Sequence, residues 1–270
     1  MIKLVATDID GTLLRTDGTV SDRTRAAIAA ATDAGLMIAF ATGRPPRWLD
    51  DLVEATEHHG VAVGANGAVL YDLASEQVVS AHYLSPDQLL TIALDLRAAF
   101  PQVSFGIEYG DSFAAEPEYI HEWQINPRTD RHGNPIPPPL IADLTAISGR
   151  PALKLLAKDE AAEADGFLSA ALDVVGGRAS LTHSSSYGLL EIGAAGVTKA
   201  SGLAELAALH GIAREEVVAI GDMPNDVPML HWAGRSYAVA NAHPAAKEAA
   251  GGVVGSNDED AVAVLIESLL

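Results

Sequence analysis

Asp8-Ile9-Asp10-Gly11-Thr12, which follows an apolar run from Met1 to Thr7, is the stretch whose reading decides the fold. Read as a buried strand, Ile2 to Thr7 opens at its carboxyl end into a glycine turn, so Asp8 and Asp10 reach one crevice outside the sheet. Two carboxylates in one crevice repel. At about 4 Å and an effective dielectric of about 20 the repulsion is about 4 kcal/mol, so the pair calls for a cation, a shared proton or a nearby lysine. The competing reading is a solvated Asp-x-Asp-Gly turn, since Asp and Gly favour turns on their own account. The rest of the chain separates the two.

Composition sets the outer limits. With 270 residues the chain is long enough for one large domain or two smaller ones, and 49% hydrophobic content supplies a core. The formal charge of −19 argues against nucleic acid and against an anionic membrane as partners. It also repels an anionic substrate at long range, so a phosphate site here has to be built from local donors and a bound metal. Cysteine is absent, which excludes disulfides, thiolate catalysis and cysteine-ligated metal centres and fits a reducing compartment. The amino terminus lacks a signal-peptide layout and no apolar run reaches membrane-spanning length. The expectation is a cytoplasmic protein with no membrane partner, acting as a monomer or homodimer.

Apolar runs alternate with alanine-rich helical patterns from the start. A strand at Ile2 to Thr7, a helix at Asp22 to Ala34, a strand at Leu36 to Thr42 and a helical pattern from Pro45 to His58 read as β-α-β-α. Ser21 is placed to cap the first helix and Gly35 to end it. Between strand and helix, Leu13 to Val20 suggests a tight hairpin centred on Thr16-Asp17-Gly18-Thr19. The last third repeats the style, with a helix at Lys199 to His210, a strand at Val217 to Ile220, a helix at Pro224 to Trp232, a strand at Ser236 to Ala240 and a terminal helix at Asp258 to Leu270. The middle carries most of the aromatics and a proline cluster, and reads as an inserted domain over residues 82–190. Residues 1–81 and 191–270 then form a discontinuous core. Within the insertion we expect helices at Pro86 to Ala99 and Glu160 to Leu172, and strands at Val103 to Glu108, Ala152 to Ala157, Ala179 to His183 and Gly188 to Ile192, an α+β pattern.

Three further signals fall at the ends of expected core strands or at a helix start. Thr42-Gly43-Arg44 sets a hydroxyl and a glycine where a helix begins, which is a ready anion cradle. Lys199 follows Gly196-Val197-Thr198 at the mouth of a helix. Gly221-Asp222-Met223-Pro224-Asn225-Asp226 adds two carboxylates and an amide. Each has an ordinary reading as a turn, a surface lysine or a capping loop. In an open α/β sheet, however, these edges converge on one crevice.

With these residues in this order, the sequence resembles the haloacid dehalogenase (HAD) superfamily of phosphohydrolases, and within it the Cof-type branch, whose cap is inserted between the second and third motifs. Asp8 to Leu13, Ala41 to Arg44, Lys199 and Gly221 to Asp226 match the four motifs. Ala65-Asn66-Gly67-Ala68 and the segment from Glu191 to Lys199 also look like that branch. The resemblance implies an α/β fold: a HAD-like Rossmannoid core with a central parallel sheet, plus an inserted α+β cap. It implies hydrolysis of a small phosphorylated metabolite, a sugar phosphate or similar phosphomonoester, with Mg²⁺ and through an aspartyl-phosphate intermediate. Asp8 is then the nucleophile, Asp10 the proton donor and acceptor, and Lys199 the neutralising cation, while Thr42 holds the phosphoryl group. The metal is expected on Asp8, Asp222 and the backbone carbonyl of Asp10, with Asp226 orienting Lys199 or the metal's surroundings. Gly43, Arg44, Asn66 and Asn225 are the expected substrate-binding residues, and His121, Trp123, Arg128 and His183 the candidate selectors in the cap. Two other functions stay open at this stage: a phosphotransferase or mutase using the same intermediate, and a non-catalytic protein that binds a phosphometabolite.

Overall fold

All four residues of β1 (Leu4–Thr7) are buried, as an apolar strand in the middle of a sheet requires. The structure is a computed structural model that describes residues 1–120, 128–129 and 132–270. Ser21 accepts the backbone N–H of Thr24 and opens α1 (Asp22–Asp33), and Gly35, at φ +83°, ends it in the left-handed conformation. There follow β2 (Met37–Ala41), α2 (Asp50–Thr56), β3 (Val61–Gly64), β4 (Val69–Asp72) and β5 (Gln77–Ala81). The chain then forms α3 (Pro86–Ala99), β6 (Ser104–Glu108), β7 (Phe113–Ala115), the short strands β8 (Arg128–Thr129), β9 (Pro135–Ile136) and β10 (Leu140–Ile141), and the single turn α4 (Leu144–Ile147). Next come β11 (Lys154–Glu163), α5 (Ala164–Val175), β12 (Ala179–Thr182) and β13 (Tyr187–Ala194). The last stretch holds α6 (Lys199–Leu209), β14 (Val217–Gly221), α7 (Val227–Trp232), β15 (Arg235–Ala238), α8 (Pro244–Ala249) and α9 (Ala261–Glu267).

These elements group into two units, one of residues 1–44, 51–80 and 198–270, the other of residues 45–50 and 81–197. The first unit holds a seven-stranded sheet in the order β15-β14-β1-β2-β3-β4-β5. β15, β14, β1, β2 and β3 run parallel, with Leu4 opposite both Val217 and Met37, and β4 turns antiparallel to β3. β1 is therefore the middle one of the five parallel strands, flanked by β14 and β2. The order jumps from β1 to β14 on one side and runs on to β2 on the other, and that reversal opens a crevice at the carboxyl ends.

The second unit holds a six-stranded sheet in the order β10-β7-β6-β11-β13-β12. Alternate residues of its central strands, Phe105, Ile107, Leu155, Ala157, Leu190 and Ile192, pack against Leu89, Ile92 and Leu96 of α3 and Phe167 and Ala171 of α5. The intervening positions are polar: Lys154 pairs with Glu191, and Glu108 pairs with Arg47, which belongs to the same unit. A core boundary at 190/191 would cut β13, whose residues stay paired with β11 and β12 on either side of that point. The units divide instead at 197/198.

Four local expectations are corrected. Leu13 to Val20 closes as a tight turn, with the Arg15 N–H on the Thr19 carbonyl and the Gly18 N–H on the Arg15 carbonyl, both at 2.9 Å, but no strands flank it, and Arg15 and Thr16 bond outward to Asp260 and Asp258. The helix expected from Glu160 begins only at Ala164, since β11 runs on to Glu163, whose carboxylate then caps the backbone N–H groups of Asp165 and Gly166 at 3.0 and 2.9 Å. The pattern from Pro45 to His58 splits into a 3₁₀ turn at Pro46–Trp48 and α2. The terminal helix is interrupted at Asp260, which sits at φ +57° with its carboxylate on Arg15. β3, β4, β5, β7, β8, β9, β10, α4 and α8 have no counterpart in the sequence reading. Among the described residues no helix is long and apolar enough to cross a membrane.

Candidate active site

Asp8 follows the last residue of β1, and its backbone N–H donates to the Ile220 carbonyl of β14 at 2.9 Å. The next residues, Ile9–Leu13, make one wide helical turn closed by the Leu14 N–H on the Ile9 carbonyl, with Asp10 and Gly11 stepping out of helical conformation inside it. Gly11 lies at φ +80°, and a Cβ there would come 2.5 Å from Asp222 Oδ2. Glycine is thus what lets the β1 loop close on the β14 loop. Thr12 completes the closure by donating its hydroxyl hydrogen to Asp222 Oδ1 at 2.9 Å.

Lys199 is the first residue of α6, behind a cap in which the Thr198 and Ser201 hydroxyls each accept the other's backbone N–H, at 3.2 and 2.9 Å. A lysine at a helix N-terminus opposes the helix dipole, so its place needs local anions. They are present: Lys199 Nζ donates to Asp8 Oδ1 at 2.6 Å and to Asp226 Oδ1 at 2.7 Å. Lys199 and Asp226 are 0% exposed, Asp8 5% and Asp222 6%. Burial alone would lower the Lys199 ammonium, but Asp226 and Asp8 outweigh it and hold its pKa above the usual lysine value. Burial raises the Asp8 carboxyl well above the usual range against the pull of Lys199, and Asp226 and Asp222 add to the rise. Burial, with Asp226 beside it, pushes Asp222 up to about 6.

Oxygens of Asp8, Asp222 and Asp226 lie within 4.8 Å of one another. With one ammonium against three carboxylates, full ionisation leaves two excess negative charges in a buried space. An all-oxygen donor set with that excess fits a hard divalent cation. Asp226 is the most committed of the three, since its Oδ1 is on Lys199 and its Oδ2 accepts the backbone N–H groups of Asp222 and Met223, each at 2.9 Å. Asp8 and Asp222 are therefore the better placed to hold the ion.

The other expected residues form a second, connected group. Thr42, fully buried after β2, accepts the Arg44 N–H on its hydroxyl at 3.0 Å and receives the Asn66 N–H on its carbonyl at 2.9 Å. Gly43 lies between Thr42 and Arg44 in that loop. Asn225 donates from Nδ2 to Asn66 Oδ1 at 3.1 Å. Asp10 stands outside the acidic cluster. Its side chain is 60% exposed and held bidentately by Arg44, with Nε donating to Oδ2 at 2.9 Å. A cavity of about 490 Å³ adjoins it, with Gly11, Arg15, Arg44, Asp51 and Asn241 in the lining.

Of the expected cap selectors, His183 is buried within its own unit, its ring nitrogens on Asp165 and the Ser185 carbonyl, which is the bonding of a structural histidine. His121 and Trp123 lie outside the described residues, as does the side chain of Arg128. Sequence reasoning missed the roles of Thr12 and Asn241. Thr12 stood inside the quoted motif, but only the fold brings it to Asp222. Asn241, which donates to the Gly11 carbonyl at 2.8 Å across 230 positions, left no local signal.

Comparison with known proteins adds an independent line. A family model described as haloacid dehalogenase-like hydrolase matches residues 5–266. The 5-amino-6-(5-phospho-D-ribitylamino)uracil phosphatase YcsE of Bacillus subtilis is 30% identical over 268 residues, spanning 98% of this chain and 94% of that protein. The pyridoxal phosphate phosphatase YbhA of Escherichia coli is 26% identical over 277 residues, spanning 99% and 98%. Among solved structures, SMU.1108c from Streptococcus mutans superposes with a TM-score of 0.83 at 24% identity, covering 100% of this chain and 99% of the other, a likeness of fold.

Proposed function

The chain belongs to the haloacid dehalogenase-like hydrolases, and from that premise we propose that it is a Mg²⁺-dependent phosphatase of small organic phosphomonoesters, working through a phosphorylated Asp8. The observation that carries this reading is the buried Asp8–Lys199–Asp226 chain beside Asp222. The two relatives named above act, by their names, on small phosphorylated molecules, which supports the same substrate class here.

In the proposed reaction Asp8 attacks phosphorus, a bond from its carboxylate oxygen to phosphorus forms, and the bond to the alcohol oxygen breaks. The carboxyl of Asp10 gives its proton to the departing alkoxide. Water then attacks the aspartyl-phosphate, Asp10 takes a proton from it, and orthophosphate leaves with Asp8 restored. Lys199 stays protonated throughout and offsets the charge that develops around Asp8. Asp8 and Asp222, with the backbone carbonyl of Asp10, would hold Mg²⁺, which when bound offsets the repulsion between the Asp8 carboxylate and the phosphate. Thr42 and the backbone N–H groups of its loop would hold phosphoryl oxygens. Because Asp10 bonds to Arg44, it has to loosen that contact to reach the leaving oxygen. The inserted unit is assigned to selecting the alcohol half.

The test is phosphate release from a panel of some dozens of phosphometabolites, with Mg²⁺ or with a chelator. Release that depends on Mg²⁺ and disappears in Asp8→Asn, with the melting temperature retained, is the expected result. Normal turnover by that variant would sink the assignment.

A further inference from the structure

Ala65, Asn66 and Gly67 hold φ values of +48°, +57° and +95° in succession. Glycine accepts that region freely; alanine does not, and asparagine does so only with local help. Such a turn persists where its surroundings over-determine it, and here they do. The Ala65 N–H donates to the Arg44 carbonyl and the Asn66 N–H to the Thr42 carbonyl, both at 2.9 Å. A Cβ on Gly67 would lie 1.9 Å from the Thr198 carbonyl oxygen, the residue that caps α6. Asn225 Nδ2 donates to Asn66 Oδ1 at 3.1 Å. One strained turn therefore joins the loop after β2, the loop after β14 and the start of the helix that carries Lys199.

Both amides are nearly closed off from solvent, Asn66 at 8% and Asn225 at 5% exposure. An asparagine amide has a donor edge and an acceptor edge. Asn66 takes the donor edge of Asn225, and Asn225 Oδ1 is left buried with no hydrogen-bond partner among the described residues. A buried acceptor in that condition is costly unless a ligand meets it.

We propose that Asn66 is a positioning residue for the phosphoryl site: from its left-handed turn it fixes the amide plane of Asn225, and Asn225, rather than Asn66, meets the ligand. This rests on the phosphatase reading above and alters the substrate-binding role expected for Asn66. As an acceptor, Asn225 Oδ1 suits a ligand atom that carries a proton, either a phosphoryl O–H or the water that hydrolyses the intermediate.

A double-mutant cycle tests this. Asn66→Gly removes the side chain and keeps the left-handed backbone open to it, Asn225→Ala removes the amide it orients, and the third variant combines them. The readouts are kcat and KM for p-nitrophenyl phosphate with Mg²⁺, orthophosphate affinity by calorimetry, and melting temperature. Each single change is expected to lower kcat or orthophosphate affinity about tenfold, the scale of one lost hydrogen bond, and the double change should add nothing further. Loss of orthophosphate affinity assigns Oδ1 to a phosphoryl O–H, whereas loss of kcat with that affinity intact assigns it to the attacking water. Additive losses, about a hundredfold in the double variant, would mean that Asn66 touches the ligand itself and would overturn the proposal. So would a silent Asn225→Ala in both readouts. Should the wild type release no phosphate from any ester, the phosphatase reading fails, and the orthophosphate cycle alone decides the role of Asn66.

Discussion

Lys199 shows how much of this centre depends on single charges. It is the only cation hydrogen-bonded to either Asp8 or Asp226 among the described residues, and it has no solvent contact. Lys199→Met should therefore leave buried carboxylates unpaired and cost about 3 kcal/mol of stability, read as a fall in melting temperature, with Mg²⁺ restoring part of it. A variant as stable as the wild type in chelator would contradict that account. His58 supplies a pH dependence away from the acidic cluster. Its Nε2–H donates to the Ile38 carbonyl at 3.0 Å, its ring meets Phe40 edge to face at 5.3 Å, and burial holds its pKa below the usual 6.5. The unfolded chain thus binds the proton more readily, so this contribution is complete above about pH 6.5 and is lost as pH falls through the lower folded-state value. Melting temperature should fall between about pH 7 and pH 5.5 more steeply in the wild type than in His58→Gln; parallel curves would count against it. At this scale the sequence marked the chemistry-bearing residue types and their order. It did not mark the Arg44–Asp10 pairing, because the two residues are 34 positions apart and meet only across neighbouring strand ends.

At the scale of elements, α6 is the part whose local construction matters most for the site. Its N-terminal residue is the buried lysine, so the cap that fixes the first turn also fixes Nζ. Thr198→Ala should cost about 1 kcal/mol in unfolding experiments and lower kcat more than it raises KM. Equal kcat with lowered stability would show the cap to be structural only. The elements legible in the sequence were those with their own punctuation, such as α1 between Ser21 and Gly35, and α3, whose bounds Pro86–Ala99 coincide with the expected ones behind a Ser85–Gln88 capping box. Those that escaped were decided from outside. β11 runs past Ala157 because β13 pairs with it as far as Glu163, and α9 starts late because Asp260 is held by Arg15. Periodicity cannot report either bond.

At the scale of the whole molecule, the two units have separate sheets and separate cores, and every residue of the acidic centre belongs to the first. Replacing residues 81–197 with the corresponding segment of a relative of known preference should carry that preference over while leaving Mg²⁺ dependence intact. Unchanged preference would refute the selecting role assigned to the inserted unit. By itself the sequence determined the α/β class, the parallel core built on β1 and the residue types of the proposed phosphoryl site, because strand burial, helix caps and short runs such as Asp8 to Thr12 and Gly221 to Asp226 are local properties of consecutive residues. Only the tertiary structure decided that β14 lies beside β1, that Gly11 has to lack a Cβ to admit Asp222, and that three left-handed residues brace Thr42, Lys199 and Asn225 together. Those are distances between residues tens to hundreds of positions apart, set by how the sheet orders its strands, and no local pattern encodes them.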